Sequence, residues 1–326
     1  MTRYIFRRIL IIPFALILIH FLAFTYATVA RPIRAARTPY LRESIESVPL
    51  KEAYIEHVKQ ILSGNLGDIP GPLGGLGESI WAATKASMGL LVPATLVSTL
   101  LGLLLGSQAV RAQPAGVKRW LTPIATIGLA TPSFYLGSLG ILGIIFYVLW
   151  RGAGTESPLP IGGFGWDKHM ILPVVVLSLR PVVQIAQVVA GLMSGELRKD
   201  YVIAERSFGY SWRKIRWKYG MKNILAPVLL TIAGTFRMTV GDLVVVEWLY
   251  HWPGLGYLLA SALVPGELST NLGATPLFLN PPIIAAIITV IAALFLTVDL
   301  TASIAVRIID PRLRPQDETA KAGGVQ

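Results

Sequence analysis

Apolar residues along this chain gather into six long blocks, 9–29, 85–110, 120–150, 169–193, 224–250 and 281–306, with polar stretches between them. Each block supplies the roughly 20 residues that a helix needs to cross about 30 Å of hydrocarbon. The pattern predicts an all-α membrane protein with six transmembrane helices. The third block is too long for one span and is expected to contain a loop or a tilted end. Pro132 in that block, and Pro173 and Pro181 in the fourth, remove backbone donors and are expected to bend their helices. In the polar stretch after the first block, 44–62 carries a broken apolar stripe (Ile45, Val48, Ala53, Ile55, Val58, Ile61 and Leu62) that predicts a short amphipathic helix. A Gly/Pro tract follows it, from Gly64 to Gly77.

Composition agrees with a membrane protein. Hydrophobic residues make up 53% of the chain and charged residues 14%, with a mean hydropathy of +0.61; soluble domains carry about a quarter charged residues. The absence of cysteine excludes disulfides, thiolate metal sites and cysteine nucleophiles. The net charge of +11 does not point to nucleic acid, because Lys and Arg collect at one face of the membrane. Arg3, Arg7 and Arg8 ahead of an apolar run resemble a signal peptide, and Thr28-Val29-Ala30 a cleavage site. Block 9–29 nevertheless exceeds the 7–15 residues of a signal core, and we read it as an uncleaved first helix.

Loop charge gives the orientation. Six spans put both termini on one side, together with Arg111, Lys118, Arg119 and the basic stretch around 198–222. The opposite side has Arg151 and Lys168, and no Lys or Arg in 251–280. Its long first loop, 30–84, holds six basic and six acidic residues, and is long enough to translocate whatever its charge. Both termini and the basic stretch are therefore expected in the cytoplasm. Trp150, Trp248, Tyr250 and Trp252 are expected in an aromatic belt at the outer interface. The expected division is 1–30 (tail and first helix), 31–84 (extracytoplasmic loop), 85–307 (core of five helices, with a cytoplasmic loop at 194–223) and 308–326 (cytoplasmic tail).

The cytoplasmic loop carries Arg198, Lys199, Arg206, Arg213, Lys214, Arg216, Lys218 and Lys222. Gly209 predicts a turn and Ser211 an N-cap for a second helix. Tyr201, Ala204 and Phe208, then Trp212, Ile215 and Tyr219, are spaced to give each short helix one apolar face. Two such helices around a glycine make a knuckle that fits a groove in a partner protein. The same residues also suit a helix pair lying on anionic lipid.

Enzyme motifs are missing: there is no Gly-x4-Gly-Lys-[Ser/Thr], His-Glu-x-x-His or Gly-x-Ser-x-Gly, and His20, His57, His169 and His251 are scattered. Ionisable residues inside the blocks are the candidates for a translocation path, because charges in a membrane usually face a cavity or a partner. These are Arg180, Arg237, Asp242 and Glu247, with Lys85 and Asp299 nearer the ends. Lys85 and Glu247 are expected to snorkel. Arg237 and Asp242 are five residues apart, which disfavours a pair within one helix.

The segment from Asp200-Tyr-Val-Ile-Ala-Glu-Arg-Ser-Phe-Gly209 to Lys222-Asn-Ile-Leu-Ala-Pro227 resembles the EAA loop of binding-protein-dependent ABC importers, closest to the dipeptide/oligopeptide permease subfamily. The blocks around it occur in the subfamily's order: Thr2-Arg-Tyr-Ile-Phe-Arg-Arg, Gly64-Asn-Leu-Gly67, Thr131-Pro-Ser-Phe-Tyr-Leu-Gly137, Leu159-Pro-Ile161, His169-Met-Ile-Leu-Pro173, Val244-Val-Val-Glu247, Trp252-Pro-Gly-Leu-Gly256 and Asp310-Pro-Arg312. Ile203 and Glu205 depart from the general EAA pattern, whereas Ala204 and Gly209 keep it.

The resemblance implies an ABC importer type I permease fold with no enzymatic activity or bound cofactor of its own. ATP and Mg would be bound by two cytoplasmic ATPases. Its other partners would be a second homologous permease subunit, an extracytoplasmic solute-binding protein and membrane lipid. The coupling loop would comprise Ala204, Glu205, Arg206, Ser207, Phe208, Gly209, Tyr210, Ser211, Trp212 and Lys214. Trp252-Pro-Gly-Leu-Gly256 would begin a re-entrant or surface segment near an outer gate. The implied solute is a di- or oligopeptide, although the subfamily also carries nickel, glutathione-like and sugar substrates. From the residues alone, a proton-coupled transporter using Asp242 or Asp299, or a membrane scaffold, remain alternatives.

Overall fold

The computed structural model describes residues 2–36, 49–66, 75–152, 156–264 and 278–309. The tract 67–74, the start of the amphipathic stripe before residue 49, and the tail 310–326 with Asp310-Pro-Arg312 lie outside them. Six helices are long and apolar enough to cross a membrane. They are α1 (Thr2–Ala35), α3 (Leu76–Gln108), α5 (Ser133–Arg151), α6 (Ile171–Glu196), α9 (Met221–Leu249) and α11 (Pro281–Ile309). The shorter helices are α2 (Leu50–Leu62), α4 (Leu121–Ala130), α7 (Asp200–Ser207), α8 (Trp212–Lys214) and α10 (Leu255–Leu263). A small antiparallel hairpin, β1 (Val110–Ala112) with β2 (Ala115–Val117), links α3 to α4.

The expected interruption of the third block is found, and the start of the fifth span is corrected. Block 120–150 is two helices: Thr131 takes an extended ψ of 121°, as the residue before Pro132 prefers, and only α5 is long enough to span. The fifth span starts well before residue 224. From α8 a six-residue π-helical turn, Ile215–Gly220, carries the helix without a break into α9, so the apolar rod is Trp212–Leu249. Pro173 lies in the first turn of α6, where a missing N–H costs nothing; Pro181 is inside the helix.

Helix α6 is the centre of the bundle, packed against α3 on one side and α9 on another. Lipid tails are as apolar as leucine, so close packing rather than water exclusion holds such helices together. On α3, Ser98, Gly102 and Gly106 repeat every four residues and let the backbones approach. A Cβ on Gly102 would lie 2.7 Å from Ile185 Cβ, and one on Gly106 2.7 Å from the Ala186 carbonyl oxygen. One core gathers Ile185, Val189, Met193, Val202, Ile215 and Ile224. A second gathers Leu90, Leu91, Leu177, Phe236, Leu243 and Trp252. By contrast α1 packs mainly on α11, and it and α5 leave most of their surface uncovered within this chain.

Candidate functional site

The polar stretch between α6 and α9 folds into a compact knuckle. α7 starts after an extended Lys199, and Asp200 complements the positive end of its dipole. The helix ends because Gly209 takes φ +80°, a conformation that costs other residues about 1–2 kcal/mol. Two bonds close the end: Gly209 N–H donates to Arg206 O at 2.9 Å, and Tyr210 N–H to Glu205 O at 3.2 Å. Together these make a Schellman motif. The Ser211 hydroxyl then accepts from Lys214 N–H at 3.3 Å, the predicted N-cap. Across the turn, the Arg206 guanidinium donates to Tyr210 O at 2.7 Å and lies 4.8 Å from the Trp212 ring centre. Lys214 Nζ sits 3.6 Å from the Tyr210 ring centre. These contacts give the turn one shape.

The predicted apolar face of α7 is corrected. Val202 is the buried residue, Tyr201 is half-buried, and Ala204 and Phe208 face outward. Phe208 is 77% exposed and Ile203 70%. A loop that presents two large apolar side chains beside cations has the composition of a docking tip. Sequence reading took Ile203 only as a departure from a pattern and missed it as a surface residue, because its neighbour Val202 is equally apolar.

The knuckle is anchored at its base. Buried Glu196 pairs with Lys199 and accepts from Asn223 Nδ2 at 2.7 Å, which ties the end of α6 to the start of α9. Burial, and then the charge of Glu196, push the Tyr201 phenol up to about 12, so it stays neutral at physiological pH. Arg216 Nη2 donates to Val110 O at 3.1 Å and Arg198 Nη2 to Ala115 O at 3.2 Å, which fastens the hairpin to the same base.

The ionisable residues in the spans fall into two groups. Arg180 on α6 pairs with Asp242 on α9 at 3.1 Å, each side chain 23% exposed. Asp299 on α11 takes both Arg8 of α1 at 2.9 Å and Arg237 of α9 at 2.6 Å. Arg237 and Asp242 therefore pair with other helices, as their spacing predicts.

Glu247 does not snorkel. It is completely buried, and its carboxylate accepts from the Ser87 hydroxyl at 2.7 Å, from Gly256 N–H at 2.7 Å and from Tyr257 N–H at 3.2 Å. Ser87 in turn accepts from Leu255 N–H at 2.8 Å. Glu247 thus satisfies the opening turn of α10 and presents no surface to a path. The glycines of Trp252-Pro-Gly-Leu-Gly256 explain themselves here: a Cβ on Gly254 would overlap the Glu247 carboxylate, and one on Gly256 would overlap the Val244 backbone. Ser87 was not foreseen, since one serine in an apolar block carries no signal for a partner 160 residues away.

The aromatic belt is likewise corrected. Trp150 and Trp248 are exposed, but Tyr250 and Trp252 are buried. Their polar atoms donate to the Gly137 and Ala86 carbonyls at 3.1 and 2.9 Å, which removes the reason to sit at the wet interface. Among the described residues no three His, Asp or Glu side chains converge as a metal-binding group.

Comparison with known proteins agrees with this architecture. The family described as "binding-protein-dependent transport system inner membrane component" matches residues 98–315. A probable peptide ABC transporter permease protein of Sinorhizobium fredii is 25% identical over 82% of this chain and 81% of its own length. An oligopeptide transport system permease protein of Bacillus subtilis, AppB, is 25% identical over 72% and 71%. An inward-facing structure of the MetNI methionine ABC transporter covers 71% of this chain and 97% of the matched chain, with a TM-score of 0.51 at 16% identity, and so shares the fold. A helical bundle of six spans with an exposed knuckle between the fourth and fifth, matched over two thirds of its length, places this chain in the family of inner membrane components of binding-protein-dependent transport systems.

Proposed function

We propose that this chain is one half of the translocation pore of an ATP-driven importer of di- or oligopeptides, with both termini in the cytoplasm. Its knuckle, Ala204 to Lys214, docks on a cytoplasmic ATPase that binds ATP and Mg. A second, similar permease subunit completes the pore, and an extracytoplasmic binding protein delivers solute. The observation that carries the docking reading is the exposed Ile203–Phe208 tip on a turn fixed by Gly209. The similarity to peptide permeases of S. fredii and B. subtilis supports the solute class. The division 1–30, 31–84, 85–307 and 308–326 belongs to the same reading.

The cycle uses the chain's own groups in order. Closure of the ATPases moves the knuckle, the spans change from inward- to outward-facing access, and released solute meets the path. Arg180, Asp242 and Arg237 are the groups we place on that path, where cations and a carboxylate suit the charged ends of a peptide. Glu247 instead holds α10 in place at the outer end. The test is co-purification of the ATPases with the chain carrying Ala204→Asp. Loss of the ATPases is expected, because a charge is forced into the docked contact; full retention would sink the docking reading. Solute transport down a proton gradient by the chain alone, without any ATPase, would instead establish a secondary transporter.

A further inference from the structure

We propose that the flank of the knuckle, between the cytoplasmic end of α3 and the α8–π turn, binds the headgroup phosphate of an anionic phospholipid. A pocket of about 760 Å³ lies there. Arg213, Lys214, Arg216 and Lys218 form its basic wall and Leu104 and Trp217 its apolar one. No Asp or Glu lines it, and among the described residues none of the four cations is in an ion pair. Arg216 is oriented by backbone carbonyls, which leave its charge uncompensated, and its Nε is buried with no hydrogen-bond partner.

Four cations without a carboxylate partner around one concavity repel each other, though Lys214 and Lys218 lie over the Tyr210 and Tyr219 rings, and an anion seated among them relieves that cost. Position selects a lipid over a soluble anion. Leu104 and Gln108 belong to the last turns of a membrane span, so the pocket opens at headgroup depth. Above it α3 presents Leu96, Leu100 and Leu104, 58%, 60% and 43% exposed. Their spacing of four puts them on one face, an apolar track on which an acyl chain can lie. Trp217, 43% exposed, is the side chain that favours this depth. The apolar tip of the knuckle, Ile203 and Phe208, does not line the pocket, which shares only Ser211, Arg213 and Lys214 with the docking segment. Lipid contact and ATPase docking, rival readings of this basic segment from its sequence, are thus centred on its basic flank and its apolar tip.

Native mass spectrometry of the full chain in detergent, titrated with phosphatidylglycerol or with phosphatidylethanolamine of the same acyl chains, tests the proposal. One phosphatidylglycerol is expected to be retained in preference to phosphatidylethanolamine. Arg213→Gln with Lys218→Gln is expected to weaken that retention about thirtyfold, as two lost headgroup contacts imply. Arg119→Gln with Lys222→Gln removes the same charge outside the pocket and is expected to change it less than twofold. Brominated phosphatidylglycerol is expected to quench a fluorescence component that Trp217→Phe removes, a readout that needs no charge variant. Equal retention of both lipids, an equal loss in the control pair, or displacement by millimolar inorganic phosphate would overturn the proposal. So would loss of the bound lipid on assembly with the ATPases, which would give the pocket to a protein contact. ATPase co-purification is scored separately, so failure here leaves the docking reading standing.

Discussion

At Gly209 the backbone demands φ +80° while the space around an added Cβ is empty, which separates two costs that usually come together. Gly209→Ala meets only the conformational penalty, about 1–2 kcal/mol, and is expected to keep most ATPase co-purification. Gly209→Pro cannot adopt the angle and loses the N–H bonded to Arg206 O; it is expected to abolish co-purification while the chain still inserts. Glu247 gives a second residue-level test. Its two oxygens accept on opposite sides, whereas an amide presents an NH2 to one of them. Glu247→Gln is expected to lower stability by about 1–3 kcal/mol, seen as a lower thermal midpoint in detergent. Gly209 and Ser211 were legible in the sequence because their roles are local, set by one φ and one cap. Glu247 was misread because neither its place near a span end nor its family block reveals its donors, which come from α3 and α10.

Among the elements, α2 offers a pH test. It lies against α1 through an aromatic cluster in which His57 stacks on Phe24 at 4.9 Å and on His20 at 5.3 Å. Burial, and then His20, push the His57 imidazole down to about 4. The folded state therefore binds fewer protons than the unfolded state. The packing is fully stable above the unfolded value near 6.5 and weakens as pH falls from there toward 4. The hydrogen-exchange protection factors of 50–62, taken relative to the intrinsic rate at each pH, are expected to fall between pH 7 and pH 5, and His57→Phe to flatten that dependence. The part of this amphipathic helix inside the described residues was legible from its apolar stripe. The break at Thr131-Pro132 was anticipated, as a loop or tilted end in an over-long block carrying Pro132, but the merging of α8 with the fifth span was not. A π-helical turn leaves no mark in an apolar pattern, and Trp212, Ile215 and Tyr219 read as the face of a separate short helix.

For the whole bundle, the charge pairs decide how the spans hold together. Removing one partner of the Arg180–Asp242 pair leaves the other charge mostly covered and without its counter-ion, so Asp242→Asn is expected to destabilise the chain by about 3 kcal/mol. Replacing both, Arg180→Met with Asp242→Leu, is expected to restore the thermal midpoint, since an apolar pair suits that setting. Solute uptake by the double variant then isolates the path role: normal uptake would make the pair purely structural, and lost uptake in a stable chain places it on the path. The number of spans was readable from apolar length, but which charges meet was not, because the pairs join residues 62 positions apart (Arg180–Asp242 and Arg237–Asp299) or 291 apart (Arg8–Asp299).

The unbroken run from Trp212 to Leu249 has a consequence for how far motion must travel. At about 1.5 Å per residue it is a rod of roughly 57 Å, with the Gly209 turn at one end and Glu247 at the other. A tilt of about 10° about its midpoint carries each end some 5 Å in opposite directions, close to one helical pitch. No hydrogen bond stretches that far. Either α10 and the Ser87 turn of α3 swing with Glu247 as one body, or the four-bond node at that end opens whenever the rod tilts.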